Sequence, residues 1–239
     1  MRYADILDDG TSLTAAGWIG PGASDDEQFL SPFRSGADNW VADSRLLPID
    51  RKAPTLGRVV VHGVWAGERV KVDRITPDLS EPRAVMESRA LRRLAERSYP
   101  QAEGHPWPTA DFDRWVTTSL VGHPDVLKVT HVSNGRSRVT VISTPAIRTL
   151  EKVIQEGPAG PVVLVHSRWD RATLRLAEAS VEDLPEEEIL EVGESVTSSG
   201  EISVHAMVVR HRPSHTALMS RYPDGLLSIA PWISVPEQS

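Results

Sequence analysis

Hydrophobic and polar positions alternate in the first third of the chain, and a helical spacing takes over after it. Arg58-Val59-Val60-Val61-His62-Gly63-Val64-Trp65 is a β-branched run. Ala66-Gly67 interrupts it, and Glu68-Arg69-Val70-Lys71-Val72-Asp73-Arg74-Ile75 then alternates strictly, which predicts a hairpin. Val70, Val72 and Ile75 are expected in the core, with Arg69, Lys71 and Asp73 toward water. Upstream, Gly17-Trp18-Ile19-Gly20-Pro21-Gly22-Ala23-Ser24-Asp25-Asp26 is dense in turn formers and acids, so it reads as an exposed loop. Residues 1–80 are therefore expected to form a β-rich, loop-containing part with a small barrel-like hairpin region.

The period changes near Pro82. Ser80 can cap a helix from Pro82 to Tyr99, with Pro82 in its first turn and Pro100 as its stop. Ala84, Ser88, Leu91, Leu94 and Ala95 form one stripe of it, and Arg89, Arg92, Arg93 and Arg97 lie opposite with Glu96 as the one acid among them. Gly104-His105-Pro106-Trp107-Pro108 ends regular structure, so 81–108 reads as an arginine-bearing helix followed by a stiff hinge.

Residues 109–239 alternate between both periods. A helix is expected near Thr109 to Leu120, then a hairpin of Val126–Val132 and Ser137–Ile142 around Asn134-Gly135. Ser143 or Thr144 can cap the next helix, which has Pro145 at its start and Gly157 at its end. The strand Pro161 to His166, a helix from Asp170 to Ala179, the strand Ile202 to Arg210 and an extended edge piece, Leu226 to Val235, follow. This order predicts an α+β fold: the β-rich first part, then an open, mostly antiparallel sheet with helices on one face. A length of 239 residues accommodates one core shared by both parts, or two.

Composition removes several function classes. There is no cysteine, so disulfides, thiolate metal sites, Fe–S clusters and a catalytic thiol are impossible. The 26 basic and 33 acidic residues give a net charge of −7, which disfavours indiscriminate binding to nucleic acid. Arginine dominates the basic residues, a skew that a GC-rich bacterial genome produces without any binding chemistry. Three acids fall within the first ten residues, and the longest apolar runs are short, such as Val162-Val163-Leu164-Val165. Neither a signal peptide nor a membrane span is expected, and the chain reads as cytoplasmic.

Four features could carry chemistry, each against a plainer alternative. The arginine face of Arg89, Arg92, Arg93 and Arg97 could grip carboxylates or phosphates bidentately, against a merely solvated helix face. The Gly17–Gly22 segment lacks the Lys-Ser/Thr pair of a phosphate loop, and acids follow it, so it reads as structural. His205, His211 and His215 fall close together, but Pro213 argues against the helix that would align the last two; no metal site and no cofactor are assigned. His166, Ser167 and Arg168 follow a buried-looking strand, a place where α/β folds gather ligands: His166 could act as base, Ser167 as nucleophile, and Arg168 as anion clamp. That segment also suits a helix N-terminus with Asp170 as cap, and no nucleophile-elbow glycines surround Ser167. The acidic stretch Glu182 to Glu194 reads as a solvated linker or a short helix start.

The expected function is a non-catalytic accessory protein that binds a protein partner. Trp18, Trp40 and Trp107, in or beside loops, are its candidate aromatic anchors. An enzyme acting on an anionic small molecule or phosphodiester through His166, Ser167 and Arg168 is the second expectation. Binding of single-stranded nucleic acid by the first part and the arginine helix is the third.

Overall fold

The computed structural model describes residues 3, 6–21, 28–33, 46–50, 57–80, 83–98, 108–133, 138–197 and 199–236. Five strands come first: β1 (Ser12–Pro21), β2 (Gln28–Ser31), β3 (Leu47–Ile49), β4 (Arg58–Trp65) and β5 (Val70–Pro77). Helix α1 (Arg83–Ser98) and α2 (Ala110–Trp115) follow, the latter running into a π-turn at Val116–Leu120. Then come β6 (Lys128–Ser133), β7 (Arg138–Thr144), α3 (Ile147–Glu156), β8 (Val162–His166) and α4 (Arg171–Glu182). The chain ends with β9 (Ile189–Val196), β10 (Ile202–Arg210), α5 (Pro213–Met219) and β11 (Leu227–Ser234). The described residues hold eleven strands and five helices, an α+β protein, as the alternation of periods predicts.

The first five strands close on themselves in the order β1-β2-β3-β5-β4-β1. All neighbours are antiparallel except β3 and β5, which meet in parallel at Ile49 and Val70. This is a five-stranded Greek-key barrel of the kind seen in OB-folds, an architecture that by itself assigns no function. Alternation supplies its interior: Leu13, Ala15 and Ile19 of β1 meet Leu30, Leu47, Ile49, Val59, Val61, Trp65 and Val70, all buried. Tyr3 lies against two indoles of the same core, with ring centroids 6.1 Å from Trp65 and 6.2 Å from Trp232. Glycine is required where strands press together. A Cβ on Gly17 would stand 2.9 Å from the carbonyl carbon of Ser31, and closer still to its oxygen.

β1 also carries the rest of the large sheet. Thr14 and Ala15 pair with Ser234 and Ile233 of β11, which runs parallel to β10, and β10 pairs antiparallel with β9. A separate three-stranded sheet has the order β6-β7-β8, antiparallel then parallel. The two sheets share a core. Val139, Val141, Val163 and Val165 of the small sheet join Ile202, Val204, Ala206 and Val208 of β10, with Leu174, Ala177 and Val181 from α4 and Leu91 and Ala95 from α1. The other face of the small sheet buries Phe112, Val116, Leu120, Ile142 and Leu150.

Several local expectations are corrected. Residues 17–21 belong to β1 and not to a loop, because the Leu13-Ala15-Gly17-Ile19 alternation lies inside the barrel. β11 sits between β1 and β10 and is no edge strand. The cap of α3 is Ala146. Thr144 is buried at the end of β7, where its Oγ1 accepts from the Ala146 N–H, and Ser143 donates to the Gly200 carbonyl. Pro213 starts α5 and does not forbid it, since the first turn of a helix needs no proline N–H. The acidic stretch is only partly linker: after a 3₁₀ turn at Glu186–Glu188 it becomes β9.

Candidate functional site

His166, Ser167 and Arg168 lie where β8 passes into α4, as the sequence suggests, but Ser167 and Arg168 are engaged in holding the fold. Ser167 is buried; its N–H donates to the Thr144 carbonyl, and its Oγ accepts from the Trp169 N–H at 3.3 Å. The Arg168 guanidinium makes a two-pronged pair with Glu201, Nε to Oε1 at 2.7 Å and Nη2 to Oε2 at 3.1 Å, and the Arg168 N–H reaches the same carboxylate. Arg168 thereby holds the Glu201 carboxyl below its ordinary range. The same guanidinium lies 4.7 Å from the Trp169 ring centroid. Asp170 caps α4, accepting from the Thr173 N–H at 2.7 Å. Together these bonds fasten the end of β8 to the turn between β9 and β10; the His166, Arg168 and Asp170 side chains are exposed there, and Ser167 is buried.

The arginine helix has the amphipathic form expected of it. Leu91 and Ala95 are buried, whereas Arg89, Arg92, Arg93 and Arg97 are exposed. Glu87 ties α1 to the sheet by accepting from the Ser195 hydroxyl at 2.6 Å. The candidate aromatic anchors fare differently. Trp40 and Trp107 lie outside the described residues, and Trp18 is half-buried within β1. Trp232 is buried in β11 and donates its Nε1–H to the Ala16 carbonyl at 2.7 Å. Trp65 is also buried, Trp115 and Trp169 are half-buried, and no described tryptophan is exposed.

The histidines do not converge. His205 on β10 bonds Ser228, away from the other two. His211 and His215 are edge-to-face neighbours with centroids 5.6 Å apart. His215 is fully buried: its Nδ1 accepts from the Arg212 N–H, and its Nε2 faces Glu188 Oε2 at 3.2 Å. Arg212, itself partly exposed, pairs with Glu188 at 2.8 Å from the outer side. Burial pushes the His215 imidazole down; Glu188 opposes this, and His211 and Arg212 reinforce it.

One cleft gathers cations that the sequence does not bring together. About 430 Å³ in volume, it opens between the segment leading into β6 and the first turns of α4. Arg171 and Arg175, four residues apart on α4, line it with Lys128 and His123. Arg171 is held in place by Glu194 and by the carbonyls of Val126 and Leu127. Arg171 and Arg175 show their common face in the sequence, since an i,i+4 pair on a helix must share one. Lys128 and His123 do not, because only the pairing of β6 with β7 and the packing of α4 on β9 bring them near. No protein-family model matches the chain, and no curated protein matches it. The fold thus defines an α+β protein whose first five strands form a Greek-key barrel.

Proposed function

We propose that the protein is a non-catalytic binding protein of the cytoplasm that takes an acidic protein partner on the arginine face of α1. One observation carries this reading: Arg92, Arg93 and Arg97 are exposed on one helical face and have no carboxylate partner among the described residues. Elsewhere Arg58, Arg114, Arg138, Arg168, Arg171 and Arg212 each pair with an acid. Guanidinium groups suit bidentate recognition of carboxylates, and the apolar side of α1 already packs in the core, so its outer side is the one presented to a partner.

A protein partner is favoured over single-stranded nucleic acid on two grounds. Base recognition without sequence preference relies on exposed aromatic platforms, and every described tryptophan is buried or half-buried. The net charge of −7 also repels a phosphate backbone beyond the patch itself. The test is retention of partners from native lysate at physiological salt by the wild-type chain and by an Arg92→Glu, Arg93→Glu, Arg97→Glu variant. A discrete protein held by the first and weakened about tenfold or more on the second supports the reading. A monodisperse monomer that retains nothing, or a mobility shift of oligo-dT lost in the same variant, overturns it.

A further inference from the structure

The cleft between β6 and α4 has a charge and a shape of its own, apart from the arginine face. Lys128 and Arg175 have no ion-pair partner among the described residues, and both line the cavity. Arg171 brings a third positive charge, and Glu194, its partner, the one carboxylate paired there. Three cations against one carboxylate leave a surplus of two positive charges. His123 adds a ring nitrogen: its Nδ1 accepts from the Asp125 N–H at 3.2 Å, which leaves Nε2 as the donor of the ring.

The remaining lining is apolar. Val121, Pro124 and Val129 contribute to it, and Val121 is 57% exposed, an unusual position for a valine. Val121 directly follows the π-turn, and Gly122 then takes the left-handed conformation at φ 98°. Such π-segments persist at a cost in helix geometry and often mark functional sites. Here the extra residue in the turn delivers Val121 to the rim of the cleft. The volume of about 430 Å³ falls within the range of about 300–1,000 Å³ typical of small-ligand sites.

We propose that this cleft binds a small organic phosphate monoester, its phosphate held between Lys128 and Arg175 and its organic group against Val121, Pro124 and Val129. The charge decides between anions. A phosphate monoester carries about −1.5 to −2 at neutral pH and so matches the surplus, whereas a carboxylate would leave one cation uncompensated. Arg171, already bonded to Glu194 and two carbonyls, is fixed in the lining, and Lys128 and Arg175 are left to meet the ligand.

The experiment titrates the full chain with phenyl phosphate, inorganic phosphate and benzyl alcohol, following backbone amide shifts of residues 121–129. Phenyl phosphate is expected to saturate with a Kd about tenfold or more below that of inorganic phosphate, and benzyl alcohol not to saturate. Arg175→Gln and Lys128→Gln, at exposed and half-exposed positions, are each expected to weaken phenyl phosphate about fivefold or more while leaving the circular dichroism unchanged. Affinity should rise as pH passes upward through about 6, where the second phosphate proton leaves. Inorganic phosphate binding as tightly as phenyl phosphate, variants without effect, or a flat pH response each overturn the proposal. Shifts confined to residues 89–97 would overturn it too, by placing the anion on the arginine face.

Discussion

Gly17 is the position where one added methyl tests the barrel. Gly17 lies on β1 opposite Val59 of β4, beside the register pair of Trp18 with Ser31. A Cβ there would stand 2.9 Å from the Ser31 carbonyl carbon and 3.2 Å from Leu30 Cγ, where ordinary carbon contacts are about 3.5–4.0 Å. The nearest obstacle is backbone, so no rotamer change relieves it; β2 must move away from β1 and stretch its ladder. Overpacking costs about 1–3 kcal/mol and a lost ladder hydrogen bond about 1 kcal/mol, so Gly17→Ala should destabilise by about 2–4 kcal/mol. That is a large share of the roughly 5–15 kcal/mol that holds a typical domain together. The midpoint of thermal unfolding should fall by about 5–15 °C for a chain of this size. Gly193→Ala is the matched control, a strand glycine with nothing within 4 Å of the added carbon, and should lie within about 0.5 kcal/mol of wild type or gain slightly. Guanidinium unfolding followed by tryptophan fluorescence and circular dichroism measures both. If Gly17→Ala unfolds with wild-type stability, or if both substitutions cost the same, close strand approach is not the reason glycine occupies position 17.

Three further outcomes are expected. Phe112→Ala should cost about 3–5 kcal/mol in chemical denaturation, since the ring is fully buried and fills the space a Cβ on Gly160 would need. Trp232→Phe keeps most of the buried area but leaves the Ala16 carbonyl without its donor, so a loss of about 1–3 kcal/mol is expected in the same assay. Acid should weaken the fold through His215: its folded-state proton affinity is lowered, chiefly by burial, so the unfolded chain binds the proton first. Its contribution is fully present above the ordinary histidine value of about 6.5 and is lost as pH falls below it. Stability measured from pH 7.5 to 5 should therefore fall less steeply in His215→Gln; an unchanged slope would remove His215 from the account.

Legibility followed the range of the interactions. The β4–β5 hairpin, the amphipathic α1 and the cap at Asp170 are set by residues near one another in the chain, and the sequence shows them. Around Trp18 and Gly17 the turn-forming composition masks a Leu13-Ala15-Gly17-Ile19 alternation whose third member has no side chain, so this part of β1 reads as loop. Gly17 is there for contact with β2, a fact its neighbours in sequence do not carry. The acidic stretch hid β9 for a similar reason: Glu188 is buried by His215 and Arg212, and Glu194 is paired by Arg171, so these acids mark tertiary partners more than exposure. The cleft needed Lys128 and Arg175 to meet across two elements, and no local pattern announces such a meeting.

The location of β11 bears on the order in which the protein assembles. All five barrel strands lie in the first 77 residues, so the ring can close while the rest of the chain is still being made. The other half has to wait. β10 reaches β1 only through β11, and the Trp232 indole finds the Ala16 carbonyl 216 residues back along the chain. Such distant pairing is slow to form, so the ring should persist for a time with one flank of β1 unpaired and its core still lacking Trp232 and Ile233. During that interval the nascent chain is most exposed to strand-mediated association with its neighbours, and arrival of the final strand ends it.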